Sequence, residues 1–336
     1  GIDHVLPVPF QRQPQTVAKP VLTLIQKRTR LARRALAARG MVEAVTWSFI
    51  SHEEARLFGG GSEALVLANP IAADLSTMRP SLLPGLIKAA QRNANRGFPD
   101  TALFEVGQVF AGDQPDDQTT HATALRRADA RPHYPGRHWA SSHTPVDFYD
   151  VKADVMALLE TLAIPTGGLM ITQGGPSYMH PGRSATLKFG PKAVIGCFGE
   201  LHPRCLEALD AKGPLIGFEV CLDLLLAPKN KTTRMKAKLQ LSDFQPVERD
   251  FAFVVEESVP AGDVLKAAQA ADRQLIQDVT LFDIYRGQGI EAGHKSLAIS
   301  VTLQPFDKTL TDADIDTLAQ KIIAEVKKKT GAQLRL

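Results

Sequence analysis

Residues 228–238 (PKNKTTRMKAK) are basic and show no apolar periodicity, and the chain changes character across them. From Leu241 to the end the formal charge is −4, whereas the first 240 residues carry +7. That change of sign marks a boundary, and a chain of this length has room for about two domains. Its hydrophobic share of 44% and charged share of 22% are those of a globular protein. Wholesale disorder, a collagen-like repeat and a coiled-coil rod are thereby excluded. No apolar run approaches the roughly 18 residues of a membrane span, and no charged-then-apolar leader opens the chain, so neither a membrane nor export is expected. The chain begins at Gly1, from which we expect a processed amino end or a piece of a longer protein. The net charge of +3 is too small to imply nucleic acid by itself. Cys197, Cys205 and Cys221 are odd in number and widely spaced, which argues against a disulfide framework and for a reducing compartment.

Four stretches follow, by number: 1–20, a proline-bearing tail and linker; 21–227, the larger domain; 228–241, a linker; and 242–336, the smaller domain. In the larger domain, 21–39 reads as a basic helix stopped by Gly40, with Lys27, Arg28, Arg30, Arg33 and Arg34 around Leu22, Ile25, Leu31 and Leu36. Glu43–Ile50 reads as a strand, Ser51 as the cap of a short helix, and 64–67 as a second strand. A helix is predicted from Ser81 to Arg96 and a strand from Thr101 to Phe110, with a turn or bulge at Gly107. Residues 112–145 are polar, with little regular structure expected. A helix over 147–162 precedes strands and turns from Leu169 to Val220, interrupted by a helix near 202–211.

The smaller domain is patterned more plainly. Strand 250–255, helix 260–271, strand 276–285, strand 295–303, helix 312–329 and strand 332–336 give the order βαββαβ, the ferredoxin-like arrangement. Both helices then lie on one face of an open antiparallel sheet, and the other face is left to bind something. Many RNA-binding domains use such a face. The fold class is α+β throughout.

Common catalytic signatures are missing: no GxxxxGK[ST] phosphate loop, HExxH, CxxC or GxSxG occurs. Gly59–Gly61 lacks the dinucleotide order and reads as a turn. His121, His133, His138 and His143 share one irregular stretch, where a solvated loop is preferred over a metal site. His180, Cys197, His202 and Cys205 match no common zinc spacing, and the cysteines read better as buried fillers.

Four segments occur in order: NPIAADLSTMRPSLLPGLI (69–87), LFEVGQVF (103–110), HPGRSA (180–185) and GCFGELHP (196–203). Together they resemble the catalytic-like domain of the β subunit of bacterial phenylalanyl-tRNA synthetases. PVERDFAFVV (246–255), LFDIYRG (281–287), KSLAISVTLQ (295–304) and TLTDADID (309–316) resemble that subunit's ferredoxin-fold anticodon-binding domain. GIDHVLP at the start looks like the end of the preceding small domain. The resemblance covers nearly the whole chain and implies a carboxy-terminal fragment of a longer subunit.

What the resemblance implies is an (αβ)2 heterotetramer in the cytoplasm that uses ATP and Mg2+ to attach phenylalanine to tRNA-Phe. The α subunit carries the active site. This chain would have a class II synthetase-like antiparallel sheet with flanking helices, pack against α, and do no chemistry. Leu103 stands two before Glu105, where an arginine would grip the α-phosphate, and no GxGxGxxR stretch exists to supply a second. No catalytic residue, cofactor site or metal site is therefore expected in this chain; the family's β-subunit metal carboxylates would precede Gly1. The alternative is a class II-like adenylating enzyme active on its own. Arg79 is expected in a structural ion pair or at a helix entry, Gly182 in shaping a turn, and Glu200 in a cap or a local pair. The basic helix at 27–34 either faces tRNA or is a solvated face. Without α, exposed apolar surface would favour self-association or poor solubility.

For tRNA binding the resemblance singles out Asp283, Tyr285 and Ser296. A tyrosine ring can stack an unpaired base, an aspartate can accept from a guanine edge, and a serine can do either. Asp283 and Tyr285 differ by two and so share one strand face. Read from residues alone, Tyr285 is better taken as a half-buried sheet residue and Asp283 as a solvated edge. Arg286, Lys295 and Arg249, with the Lys327–Lys329 run, are the candidates for phosphate contacts. The lysine run could instead only favour its helix end.

Overall fold

The basic helix expected over 21–39 forms as α1 (Leu24–Ala38), opened by a capping box. Thr23 Oγ1 accepts from Gln26 N–H while the Gln26 side chain accepts from Thr23 N–H. The computed structural model describes residues 2–8, 22–128, 145–227 and 241–335. The connector 228–238, three of the four clustered histidines (His133, His138, His143) and most of the amino-terminal tail lie outside those residues. The chain divides into two compact units, Gly1–Lys231 and Thr232–Leu336.

In the first unit α1 is followed by β1 (Val42–Glu43), β2 (Phe49–Ile50), α2 (His52–Leu57), β3 (Thr77–Met78), α3 (Leu83–Asn95), β4 (Thr101–Phe110) and β5 (Gln118–Arg127). Then come α4 (Phe148–Thr161), β6 (Leu169–Gln173), β7 (Met179–Phe189), β8 (Ala193–Leu201), α5 (Pro203–Ala208) and β9 (Leu215–Cys221). Seven strands form one sheet in the order β1-β4-β5-β9-β8-β7-β6. β1 runs parallel to β4, and all other neighbours are antiparallel. β2 and β3 make a separate ribbon.

Period-two alternation sends side chains from the strands into two cores. One, under α1 and α4, holds Phe104, Phe198, Phe218, Val155 and Leu158. The other, under α3, holds Leu86, Ile87, Leu103, Leu125 and Leu215. Covered on both sides, β9 has all seven residues buried. Each such phenylalanine or leucine contributes roughly 1.5–3 kcal/mol by leaving water.

Several expectations need correction. The polar stretch after Gly112 contains a ten-residue strand, β5, paired along its whole length with β4. Glu43–Ile50 is not one strand: β1 ends at Glu43 and β2 begins at Phe49. The strand at 64–67 is a single 3-10 turn, Glu63–Leu65, with one isolated bridge from Val66 to Thr77. Gly107 sits in unbroken register opposite His121. A Cβ there would stand 2.8 Å from Arg79 Nη2, so the glycine admits an arginine rather than a bulge. Arg28 belongs neither to a solvated face nor to an RNA-facing one. It is buried, and its guanidinium donates to the carbonyls of Leu222 (2.7 Å), Leu225 (3.1 Å) and Leu226 (2.7 Å). His180–Arg183 lies inside β7 as a bulge, where His180 Nδ1 accepts from the N–H groups of Gly182 and Arg183. Arg183 reaches Glu200 across to β8.

The second unit has β10 (Val247–Glu256), α6 (Ala261–Gln269), β11 (Ile276–Tyr285), β12 (His294–Leu303), α7 (Asp312–Thr330) and β13 (Gln333–Leu334). The sheet order is β11-β12-β10-β13, all antiparallel, the ferredoxin-like arrangement read from the pattern. Phe251, Phe253, Leu297, Ile299 and Val301 meet Val264, Leu318 and Ile322 in one core. α7 opens with a Thr311–Asp314 capping box and closes at Gly331, whose φ of +70° suits a residue without Cβ.

Candidate functional site

The register of β12 decides which side chains reach the helix-free face of the second unit. Leu297, Ile299, Val301 and Leu303 point into the core, so Ser296, Ala298, Ser300 and Thr302 point away. Across on β11, Thr280 faces Ser300 and Leu281 faces Ile299. The next pairs are Asp283 with Ala298 and Tyr285 with Ser296. Phe282 is the extra residue of a bulge, and it shifts the alternation by one. Without it, Asp283 and Tyr285 would share the core side with Leu281. With it, both join Ser296 on the open face.

Tyr285 is 38% exposed, and its hydroxyl donates to the Gln288 carbonyl at 3.2 Å. The Arg335 guanidinium carbon stands 5.3 Å from the ring centroid, a cation–π contact that steadies it. Asp283 is exposed beside it, and Ser296 is buried beneath. Arg286 follows β11 and forks onto the Glu257 carboxylate, with Nη2 to Oε1 at 2.6 Å.

Two of the expected phosphate contacts are not brought to this face. Arg249 pairs with Val301 and Lys295 with Val255, both core positions, so their side chains leave on the helix side. Lys295 is buried, with Nζ donating to the Glu257 carbonyl at 2.8 Å. The Lys327–Lys329 run occupies the last turn of α7.

A second polar constellation lies on the α3 side of the large sheet. The pairings align Glu105, Thr123, Glu219 and Cys197 in one row across β4, β5, β9 and β8. Gly107, His121 and Cys221 form the next row. Glu219 is buried and accepts from Ser81 Oγ at 2.6 Å, Leu82 N–H at 3.0 Å and Thr123 Oγ1 at 3.2 Å, tying β9 to the start of α3. His121 Nδ1 stands 3.1 Å from Glu219 Oε1, and its Nε2 is 3.2 Å from Thr119 Oγ1. A cleft of about 460 Å³ opens beside them, lined also by Tyr178, Thr186 and Lys188. Arg79 donates to Glu105 Oε1 at 2.8 Å, Thr46 Oγ1 at 2.9 Å and the Gln108 carbonyl at 3.0 Å. It thus takes the structural ion pair expected of it. Leu103, the position without a phosphate-gripping arginine, is buried in the apolar cluster.

Burial alone would raise the Glu219 pKa, but His121, Ser81 and the Leu82 N–H together hold it below its ordinary value. Burial would also lower the His121 pKa. Hydrogen bonding to Cys221 and Glu219, with the Glu219 charge, outweighs burial and raises it to about 10. A folded value above the unfolded 6.5 means that His121 stabilises fully below pH 6.5 and loses its contribution as pH rises to about 10. The stability difference between the wild type and His121→Asn, measured by urea unfolding, is therefore expected to shrink across that window. A difference that grew with pH would refute the pairing.

The cluster of His121, Glu219 and Cys221, which spans two neighbouring rows, is not picked out by the sequence. Its signal is the period-two spacing of Glu219 and Cys221 and of His121 and Thr123, which the polar composition of β5 hides. Cys197 and Cys205 lie in the apolar cluster under α3, and His202 Nδ1 caps α5 by accepting from Arg204 N–H. Among the described residues no three His, Cys, Asp or Glu side chains converge as a metal site.

Residues 11–222 match the family model for the phenylalanyl tRNA synthetase beta chain CLM domain, and 242–335 match that for the ferredoxin-fold anticodon binding domain. The phenylalanine–tRNA ligase beta subunit of Bradyrhizobium diazoefficiens is 56% identical over 335 residues, covering 100% of this chain and 42% of its own. That of Brucella abortus is 53% identical over 335 residues with the same coverage. The chain thus spans 42% of the length of these relatives. A pyrrolysyl-tRNA synthetase structure from Desulfitobacterium hafniense aligns over 60% of this chain and 67% of its own, at 16% identity and a TM-score of 0.44, too loose a likeness to bear weight.

Proposed function

Because the chain belongs to the phenylalanyl-tRNA synthetase β-chain family, we propose that it serves phenylalanine–tRNA ligase as a non-catalytic part, packing against the α subunit and binding the anticodon region of tRNA-Phe. The whole ligase joins phenylalanine to tRNA-Phe with ATP and Mg2+ as a cytoplasmic (αβ)2 heterotetramer. The observation that carries the reading is the helix-free sheet face of the second unit, where Asp283, Tyr285 and Ser296 stand together. Tyr285 offers a ring already held at its hydroxyl and by Arg335, which lowers the ordering a stacked base must impose. Arg286 adds charge at the margin; Arg249 and Lys295 reach RNA only from the other side of the sheet.

The first unit suits the scaffold role. Its largely antiparallel sheet between helices fits a class II synthetase-like architecture, and the buried Leu103 has no charge to offer a triphosphate. Val42, Val45, Trp47 and Ile71 are between 65% and 87% exposed, an apolar surface fit for the α subunit, or for self-association without it. ATP–pyrophosphate exchange by the chain alone is expected to be nil.

The test is made on the whole ligase. Tyr285→Ala is expected to weaken tRNA-Phe binding by about 1–3 kcal/mol, roughly five- to 150-fold, with phenylalanine-dependent ATP–pyrophosphate exchange unchanged. Equal binding by wild type and variant would sink the anticodon reading. Failure of the chain to co-purify with α would sink the scaffold reading.

A further inference from the structure

We propose that Cys221, His121 and Glu219 form a reactive-thiol site in the cleft of the first unit, open to small soft electrophiles and low-molecular-weight disulfides. This goes beyond the ligase reading and does not depend on it. The last residue of β9, Cys221 pairs directly with His121 on β5. Glu219 Oε1 stands in turn 3.1 Å from His121 Nδ1, at ion-pair distance. A thiol beside an imidazolium that a carboxylate keeps charged is a general arrangement for stabilising a thiolate. Cys221, His121 and Glu219 all line the cleft of about 460 Å³, so a small reagent has a way in.

The other groups around the sulfur are accounted for. Glu219 is held by Ser81, Leu82 and Thr123, so its charge stays in place. Asp223, in the turn after β9, accepts from Thr120 N–H at 2.7 Å, and Lys188 and Tyr178 stand at the cleft walls. Burial would raise the Cys221 pKa, but His121 and the backbone N–H groups of Leu224 and Asp223 outweigh it and bring the thiol below its ordinary value. Cys197 shares the cleft, but the Tyr178 hydroxyl, 3.8 Å from its sulfur, and the Glu219 N–H do not offset burial, which with the Glu219 charge pushes it up to about 12. Cys205 is also raised by burial. The chain therefore contains its own controls.

With a disulfide, the Cys221 thiolate attacks one sulfur. The S–S bond breaks, a new S–S bond joins Cys221 to that half, and the other half departs as thiolate. The thiol proton remains on His121, and no oxidant besides the disulfide is needed.

The experiment is iodoacetamide labelling of the full 336-residue chain from pH 5.5 to 10, with each cysteine followed by peptide mass spectrometry. At pH 7, Cys221 is expected to react about tenfold faster than Cys197 and Cys205, with a rate that levels off below pH 8.5. His121→Gln is expected to slow Cys221 about tenfold at pH 7 and little at pH 10, and methyl methanethiosulfonate should give the same order of reactivity. Labelling of Cys221 no faster than Cys197, or a rate that climbs above pH 8.5 as for a free thiol, overturns the proposal. Should His121→Gln fail to fold, the wild-type pH profile decides the matter alone.

Discussion

Asp154→Ala is expected to destabilise the first unit by about 3–5 kcal/mol. Asp154 sits on α4 with no exposed surface, facing Arg126 of β5, which is equally buried. Arg126 donates to it through Nε at 2.6 Å and Nη2 at 3.1 Å, and Arg39, at the end of α1, donates to the same carboxylate. Arg126 Nη2 also reaches the Arg39 carbonyl at 3.1 Å. One carboxylate thus joins a central strand to two helices. Removing it leaves a guanidinium that cannot shed its proton in a dry core. Asp154→Asn keeps an acceptor but not the charge, and should lose less. The double variant Asp154→Leu with Arg126→Met should recover much of the loss, because an apolar pair of similar volume avoids both desolvation costs. Both tryptophans, Trp47 and Trp139, belong to the first unit, so urea unfolding followed by their fluorescence reads this unit. A loss under about 1 kcal/mol would mean that water reaches Arg126.

The same network explains why β5 escaped a reading from sequence. In QTTHATALRR the sheet buries Thr123 and Arg126 and half-buries His121, which are polar because their partners are polar. Those partners lie on α4 and β9, 28 to 98 residues later in sequence. Hydrophobic period carries no record of such pairs. By contrast β4 and β11 were legible to their last residues, since apolar and β-branched side chains dominate them. The order βαββαβ was legible because each helix of the second unit buries a clean apolar stripe. On the open face, a spacing of two placed Asp283 with Tyr285. Which side they faced hung on the bulge at Phe282, and Arg249 and Lys295 were misjudged because only register separates the two sides of β10 and β12. Arg28 looked like one of five basic surface residues; its three carbonyl acceptors near 225 are about two hundred residues away.

Arg79→Ala should cost the first unit about 3–5 kcal/mol, and it should also weaken the surface proposed to meet the α subunit. Arg79 and Glu105 are both almost fully buried, 2.8 Å apart. Without the guanidinium, Glu105 keeps, among the described residues, only the Thr46 hydroxyl, at 2.7 Å from Oε2. Its charge would then be buried with one neutral donor. Arg79 also donates to the carbonyls of Thr46 and Trp47, at 3.4 Å each, and to that of Gln108. These bonds fix the irregular stretch between β1 and β2, the stretch that exposes Val45 and Trp47. Loosening it should blunt the apolar surface even in molecules that remain folded. Arg79→Lys keeps the charge but not the planar fork, so it should retain part of the stability and still misplace the stretch. The two effects separate experimentally: urea unfolding reads the buried charge, and co-purification with α at a temperature where the variant is folded reads the surface. Glu105→Gln, which leaves the arginine's carbonyl contacts in place, should lower stability while sparing α binding. If Glu105→Gln and Arg79→Lys reduced α binding alike at equal stability, the carbonyl contacts would not be what shapes that surface.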